Sequence, residues 1–340
     1  MAKEKFTETY YKVAQCLNSD LIADFNPVTR VCGCDTSAGF ATVFTAMGSR
    51  FDIKFVAEEA FLATDSYEVD TRSIDNVPVN EAMRYVRRET IAEDAVPDKY
   101  KNFVETVRTG GSVFKDYKVC ALGDEDSEVL FLMSPSHKNP EEVANKFTTL
   151  VSKLNKKAYC TNEMQTCGYL TSAIGLRDQL DEFYENFLEM LDSREAVVTD
   201  DTYILDVLLS EYPDLKNKVF FIDEYLLNNG FKTTKQGLKI VLQESGIINR
   251  LYPLRKVDYS ALFAGNEVSY PARSGYDVTD SGLAGGLGFA DEEVFKKLSS
   301  RRNLDLNEIK GDVVVSVCAN ESFGLNYTNG KTITILDCFG

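Results

Sequence analysis

The chain has 340 residues, no Trp, a single His and a formal net charge of −16 from 37 Lys/Arg and 53 Asp/Glu. Its 44% hydrophobic and 26% charged residues fit an ordinary folded core rather than disorder, and the carboxylate excess argues against nucleic-acid binding by the surface as a whole. One imidazole, His137, excludes a multi-histidine metal centre within the chain and leaves any Ser–His–Asp or Cys–His mechanism only that residue.

In chain order, Lys3 to Leu17 carries Phe6, Tyr10, Val13 and Leu17 at helical spacing. Val31 to Phe55 reads as strands with turns, and Asp65 to Pro78 as a loop or extended arm. Helices are predicted over Val79 to Glu93 and Asp98 to Arg108, divided at Pro97. Tyr117 to Leu122 and Glu128 to Met133 read as a hairpin around an acidic tip, followed by a helix from Pro140 to about Lys156. A long helix from Gly175 to Leu191 and shorter ones over Thr202 to Ser210 and Thr233 to Glu244 make an α-rich middle. The last 90 residues read as extended, with a helix near Asp291 to Ser300 and strands at Val313 to Cys318 and Thr332 to Leu336. Strands and helices do not alternate regularly, which disfavours a doubly wound parallel sheet. The expected class is α+β, with mixed or antiparallel sheet elements, an α-rich middle and an extended, β-rich C-terminal part. Parts at 1–160, 161–251 and 252–340 are one division, a single large domain another.

Candidate motifs were weighed against their geometric requirements. His137 lies in Ser134-Pro135-Ser136-His137-Lys138, between a strand and a helix, and reads as a surface loop histidine. Cys32-Gly33-Cys34 reads as a small-residue turn between strands, because Cys160 and Cys167 lie too far apart in sequence for a thiolate knuckle. Asp124 to Glu128 reads as a solvated tip, since it lacks the glycine and closing glutamate of a calcium loop. Asp200-Asp201 and Asp223-Glu224, if helical, point about 100° apart and make no two-carboxylate site. Gly330-Lys331-Thr332 precedes a strand rather than the helix a phosphate loop requires, and Gly110-Gly111-Ser112 follows a helix instead of preceding one. Gly282 to Gly288 precedes a helix and reads as a flexible loop at a subunit contact, with an anion nest as the alternative. Gln236 to Ile248 has a helix–Gly–helix look, better read as a basic helix against an acidic neighbour than as a major-groove reader.

Charge reverses along the chain: 14 acidic against 4 basic residues over Leu170 to Gly230, then 6 basic against 1 acidic over Phe231 to Lys256. That contrast suits complementary contacts, within the chain or between copies. With no catalytic, cofactor or metal site assigned and no cofactor implied, the expected function is a non-catalytic structural or assembly subunit of a large oligomer, such as a viral or phage particle. The alternatives are a carboxylate and divalent-metal enzyme acting on a phosphorylated substrate, and an acidic interaction or inhibitor protein. Expected partners are copies of itself or other subunits, with no membrane and no direct nucleic-acid contact. No secretory leader or run of about 18 apolar residues is visible, so a cytoplasm, its own or a host's, or a virion is the expected location.

Overall fold

A computed structural model describes residues 57, 58, 60, 61 and 79–339. The expected helix at 3–17, the strands at 31–55 with Cys32 and Cys34, and the arm at 65–78 lie outside the described residues.

Nine strands among the described residues form two sheets. The first holds β1 (Ala121–Leu122), β2 (Val129–Leu132), β3 (Ala158–Thr161), β4 (Ala196–Thr199) and β5 (Val219–Phe221), in the spatial order β1-β3-β2-β4-β5. The second holds β6 (Lys239–Gln243), β7 (Glu267–Ser269), β8 (Val313–Ser316) and β9 (Thr332–Thr334), in the order β7-β6-β8-β9. The mixed sheet, the helix-rich middle and the strands of the C-terminal part agree with the expected class. Strand direction is the surprise: only β1 with β3 is antiparallel, and the six other pairings are parallel. The expected hairpin does not form, because β2 pairs with β3 and β4 while β1 crosses to the outer side of β3.

The physical reason lies in burial. β2, β3 and β4 are buried along their whole length, so they read as short apolar runs without alternation, as strands covered on both faces do. Parallel neighbours need crossovers, and the chain supplies helices for them: Pro140–Ser152 between β2 and β3, Asp181–Asp192 before β4, and Thr202–Glu211 between β4 and β5. The first of these opens with Pro140 in its first turn and Glu141 and Glu142 beside it, which suits the unpaired N–H groups there. Lys239-Ile240-Val241-Leu242-Gln243 corrects the predicted helix over Thr233 to Glu244; it is central strand β6, and a short helix, Gly246–Leu251, follows it. The helix–Gly–helix reading of that stretch is therefore overturned. A β-branched pair inside a short apolar run was the signal for a strand.

One hydrophobic cluster runs through both sheets, including Leu130, Phe131, Val197, Ile240, Leu242 and Val315. Phe131 stacks on Phe147 with ring centroids 4.1 Å apart. The strands of the first sheet end by Phe221 and those of the second begin at Lys239, so a boundary near 160 runs through β3. The charge reversal is used partly between the two: Arg255 pairs with Glu224 at 2.9 Å. Tyr252 donates to Asp206 at 2.6 Å and Tyr259 to Asp223 at 2.8 Å across the same junction.

Setting β1 aside, both sheets have one connectivity. In each, the chain goes from its first strand to a neighbour on one side, then crosses over to continue on the other. The point of reversal lies between β2 and β4 in the first sheet and between β6 and β8 in the second. In open parallel sheets the loops leaving the carboxyl ends of those strands bound the ligand crevice. Among the described residues, no helix is long and apolar enough to cross a membrane.

Candidate functional site

The chain leaving β2 enters Met133-Ser134-Pro135-Ser136-His137, and the chain leaving β4 enters Asp200-Asp201-Thr202. These two loops meet. The Ser134 N–H donates to Asp200 Oδ1 at 2.9 Å, and His137 Nε2 lies 2.6 Å from Asp200 Oδ2. The Ser134 hydroxyl donates to Asp201 Oδ2 at 2.6 Å and contacts the Ser136 hydroxyl at 2.8 Å. Asp201 also caps the Thr202–Glu211 helix by accepting from the Tyr203 N–H at 2.9 Å.

This corrects the surface reading of His137, whose side chain is 8% exposed. It also corrects the helical reading of Asp200-Asp201. Neither residue is inside a helix; Asp200 follows the end of β4 and Asp201 caps the next helix, and both carboxylates turn toward the Ser134–His137 loop. Asp223-Glu224 does diverge as expected, Asp223 toward Tyr259 and Glu224 toward Arg255.

Burial would lower the pKa of His137, but the charge and hydrogen bond of Asp200, with Asp201 and Asp337 nearby, raise it above its usual value. Burial pushes Asp201 up to about 6, against the hydrogen bonds from Ser134 and Tyr203. The geometry is not a serine triad, because Ser134 is bonded to Asp201 and Ser136 rather than to His137. It is two parallel pairs, His137 with Asp200 and Ser134 with Asp201. The second imidazole nitrogen, Nδ1, has no hydrogen-bond partner among the described residues.

The second sheet meets the first here. The Ala319 N–H donates to the Asp200 carbonyl at 2.8 Å, and the Thr202 hydroxyl lies 3.5 Å from Cys318 Sγ. Just beyond, Glu321 Oε2 accepts from the Ser281 N–H at 2.5 Å. Burial and Asp280 push Glu321 up to about 8. Burial above all, with the charges of Asp201 and Glu321 adding to it, pushes the Cys318 thiol well above its usual range, which disfavours the thiolate.

The Gly282 to Gly288 loop packs against this junction, and most of it is buried. That corrects the flexible subunit-contact reading. Three of its glycine donors are already used: Gly285 N–H bonds Asn320 Oδ1, and those of Gly286 and Gly288 bond the Leu283 carbonyl. An anion nest in the loop is thus closed by the chain's own groups. Gly285 has φ +64°, and an added Cβ would lie 2.7 Å from the Tyr169 ring and 3.1 Å from that of Tyr203. We expect Gly285→Ala to destabilise the fold by about 2–4 kcal/mol in urea unfolding, from strain and overpacking together; a loss under ~0.5 kcal/mol would refute that packing.

Asp124 to Glu128 lies in the β1–β2 connection, where Glu128 accepts from the Lys157 N–H at 3.1 Å. The five described cysteines, Cys120, Cys160, Cys167, Cys318 and Cys338, are buried and free. Among the described residues, no group of three or more His, Cys, Asp or Glu side chains is placed to hold a metal ion. Comparison with models of known families, with curated proteins and with solved structures finds no match.

Proposed function

We propose that this chain is an enzyme that moves a proton on a small polar molecule, at the junction where the carboxyl ends of its two sheets meet. The observation that carries this reading is the placement of the only histidine. Its side chain is buried at the reversal point of the first sheet, held by a carboxylate through one nitrogen and without a partner at the other among the described residues. Asp200 is the orienting group, and Nδ1 is the position that exchanges the proton. Raised carboxyl pKa values beside it are what acid–base chemistry near neutral pH uses. Burying Asp200, Asp201 and Glu321 together is expensive unless they are paired or have a role, and a purely structural junction would be cheaper to build from apolar residues.

The assembly role expected from sequence rests on the charge reversal and on extended segments at 65–78 and 257–288. The segment 65–78 is outside the described residues, and 257–288 is folded against the second sheet and the junction. The charge reversal is partly answered by the Arg255–Glu224 pair within the chain.

A lone histidine gives one imidazole signal, so the test is direct. In NMR titration its midpoint is expected above 6.5, and lower in Asp200→Asn, which loses the charge that raises it. Mixtures of small polar metabolites should include some that shift or broaden this resonance. If none does, and His137→Gln changes nothing beyond local packing, the reading fails.

A further inference from the structure

Two Asn-Gly pairs lie among the described residues, Asn229-Gly230 and Asn329-Gly330, and both asparagines are exposed. A glycine after asparagine leaves the next backbone nitrogen without steric cover, so it can approach the side-chain carbonyl carbon. Whether it reacts depends on what holds the two groups, and the fold treats the two pairs differently.

Asn229 follows the Ile222–Asn228 helix in an ordinary conformation, with φ −93° and ψ 9°. Its Nδ2 donates to the Tyr225 carbonyl at 2.8 Å, and the Gly230 N–H donates to the Leu227 carbonyl at 3.0 Å. The Phe231 N–H closes the same turn onto the Leu226 carbonyl at 3.0 Å. Both reacting groups are tied.

Asn329 stands in the turn between the Ala319–Asn326 helix and β9, at φ +66°, in the left-handed region. Its side-chain amide has no hydrogen-bond partner among the described residues. The Gly330 N–H donates to the Leu325 carbonyl at 3.1 Å, but that oxygen also accepts from the Thr328 N–H at 3.3 Å and from Asn303 Nδ2 at 2.9 Å. A carbonyl offers two lone pairs, so these donors compete, and Leu325 stays satisfied when Gly330 lets go. The strand beyond is secured separately. Asn326 accepts from the Thr332 N–H at 2.8 Å and donates to the Thr332 carbonyl at 2.7 Å. The turn can therefore deform without releasing β9.

We propose that Asn329 is a site of spontaneous covalent modification, where the side-chain amide is lost as ammonia and a carboxylate takes its place. The Gly330 nitrogen forms a bond to Asn329 Cγ and the Cγ–Nδ2 bond breaks. The leaving nitrogen takes up the Gly330 amide proton and departs as ammonia, which leaves a cyclic imide. Water then opens the imide. Cleavage of the new Cγ–N bond gives aspartate; cleavage between the Asn329 carbonyl carbon and the Gly330 nitrogen gives isoaspartate, with the main chain routed through the side chain. Each event consumes one water and releases one ammonia, with no oxidant or cofactor.

The test is peptide mass mapping of the full chain, held folded for two weeks at pH 7.5 and 25 °C and, in parallel, in urea. In the folded chain we expect the Asn329 peptide to gain about 1 Da and to separate into two products. The gain should be at least about tenfold faster than at Asn229, whose hydrogen bonds must open first. In urea the two sites should react at similar rates, because only the fold distinguishes them. In Asn329→Gln the gain should vanish, since the longer side chain closes a larger ring far more slowly. No gain at Asn329 in the folded chain, or equal gains at Asn329 and Asn229, overturns the site. An equally large preference in urea overturns it as a property of the fold, and a gain that persists in Asn329→Gln places the reaction on another residue.

Discussion

Raising the pH from about 5 to 8.5 is expected to weaken this fold rather than strengthen it. Burial pushes Asp201 to about 6, Asp223 to about 7 and Glu321 to about 8, against ordinary values near 3.8, 3.8 and 4.5. Each therefore keeps its proton in the folded chain over a range where it has lost it in the unfolded one. Stability rises with pH only where the unfolded state binds more protons; here the folded state binds more, so the slope is negative. His137 acts in the same direction. Its raised value makes its contribution complete below the unfolded pKa and removes it as pH climbs through the folded one. Asp337 and Glu292 are lowered, and their contribution is lost only as pH falls through their folded values, at the acid end. The maximum therefore lies on the mildly acid side. With one pKa unit worth ~1.4 kcal/mol, the loss between pH 5 and 8.5 is on the order of 8 kcal/mol. Urea unfolding at pH 5.5, 7.0 and 8.5 measures it, and Glu321→Gln should flatten the upper part of the profile. A stability that is constant or increases across those three points would show that these carboxyl groups are not buried as described.

The second large effect is expected at Asp200. Its carboxylate serves the Ser134 N–H and the His137 ring, and its carbonyl receives the Ala319 N–H from the other sheet. Asp200→Ala leaves the carbonyl but strips the buried imidazole and the buried amide of their partner. Breaking a buried pair by removing one member costs about 3–5 kcal/mol. Asp200→Asn should cost only ~1–2 kcal/mol, because an amide can still accept from Ser134 and donate to a neutral imidazole. Denaturant midpoints of the two variants, compared at pH 6, check this. Equal losses would mean that the negative charge, and not the shape or hydrogen bonding that Asn retains, is what holds the junction.

These residues were partly visible in the sequence. The helices at Val79–Ala92, Asp98–Arg108 and Thr202–Glu211 were legible, because each is amphipathic or begins at a proline or a side-chain cap. Ala158–Thr161, Ala196–Thr199 and Val219–Phe221 were not, because three or four apolar residues without alternation look alike in a buried strand and in a helix. Losing those strands hid the parallel sheet, and with it the meaning of His137. The signal that could have found the site is Val197-Val198-Thr199-Asp200-Asp201: an apolar run ending abruptly in two carboxylates, as a parallel strand does where it enters a crevice. Glu321 carries no comparable mark. Its bond to the Ser281 N–H depends on how the chain leading into the Gly282–Gly288 loop lies against the second sheet, and no spacing along the chain encodes that.

The two sheets share a connectivity but not a time of birth. Every side chain of the His137–Asp200 and Ser134–Asp201 pairs belongs to the first sheet, whose last strand emerges from the ribosome well before β8. All four side chains have thus been made before any strand of the second sheet exists, and the Asp200 carbonyl and the Thr202 hydroxyl gain Ala319 and Cys318 as partners only once β8 has followed.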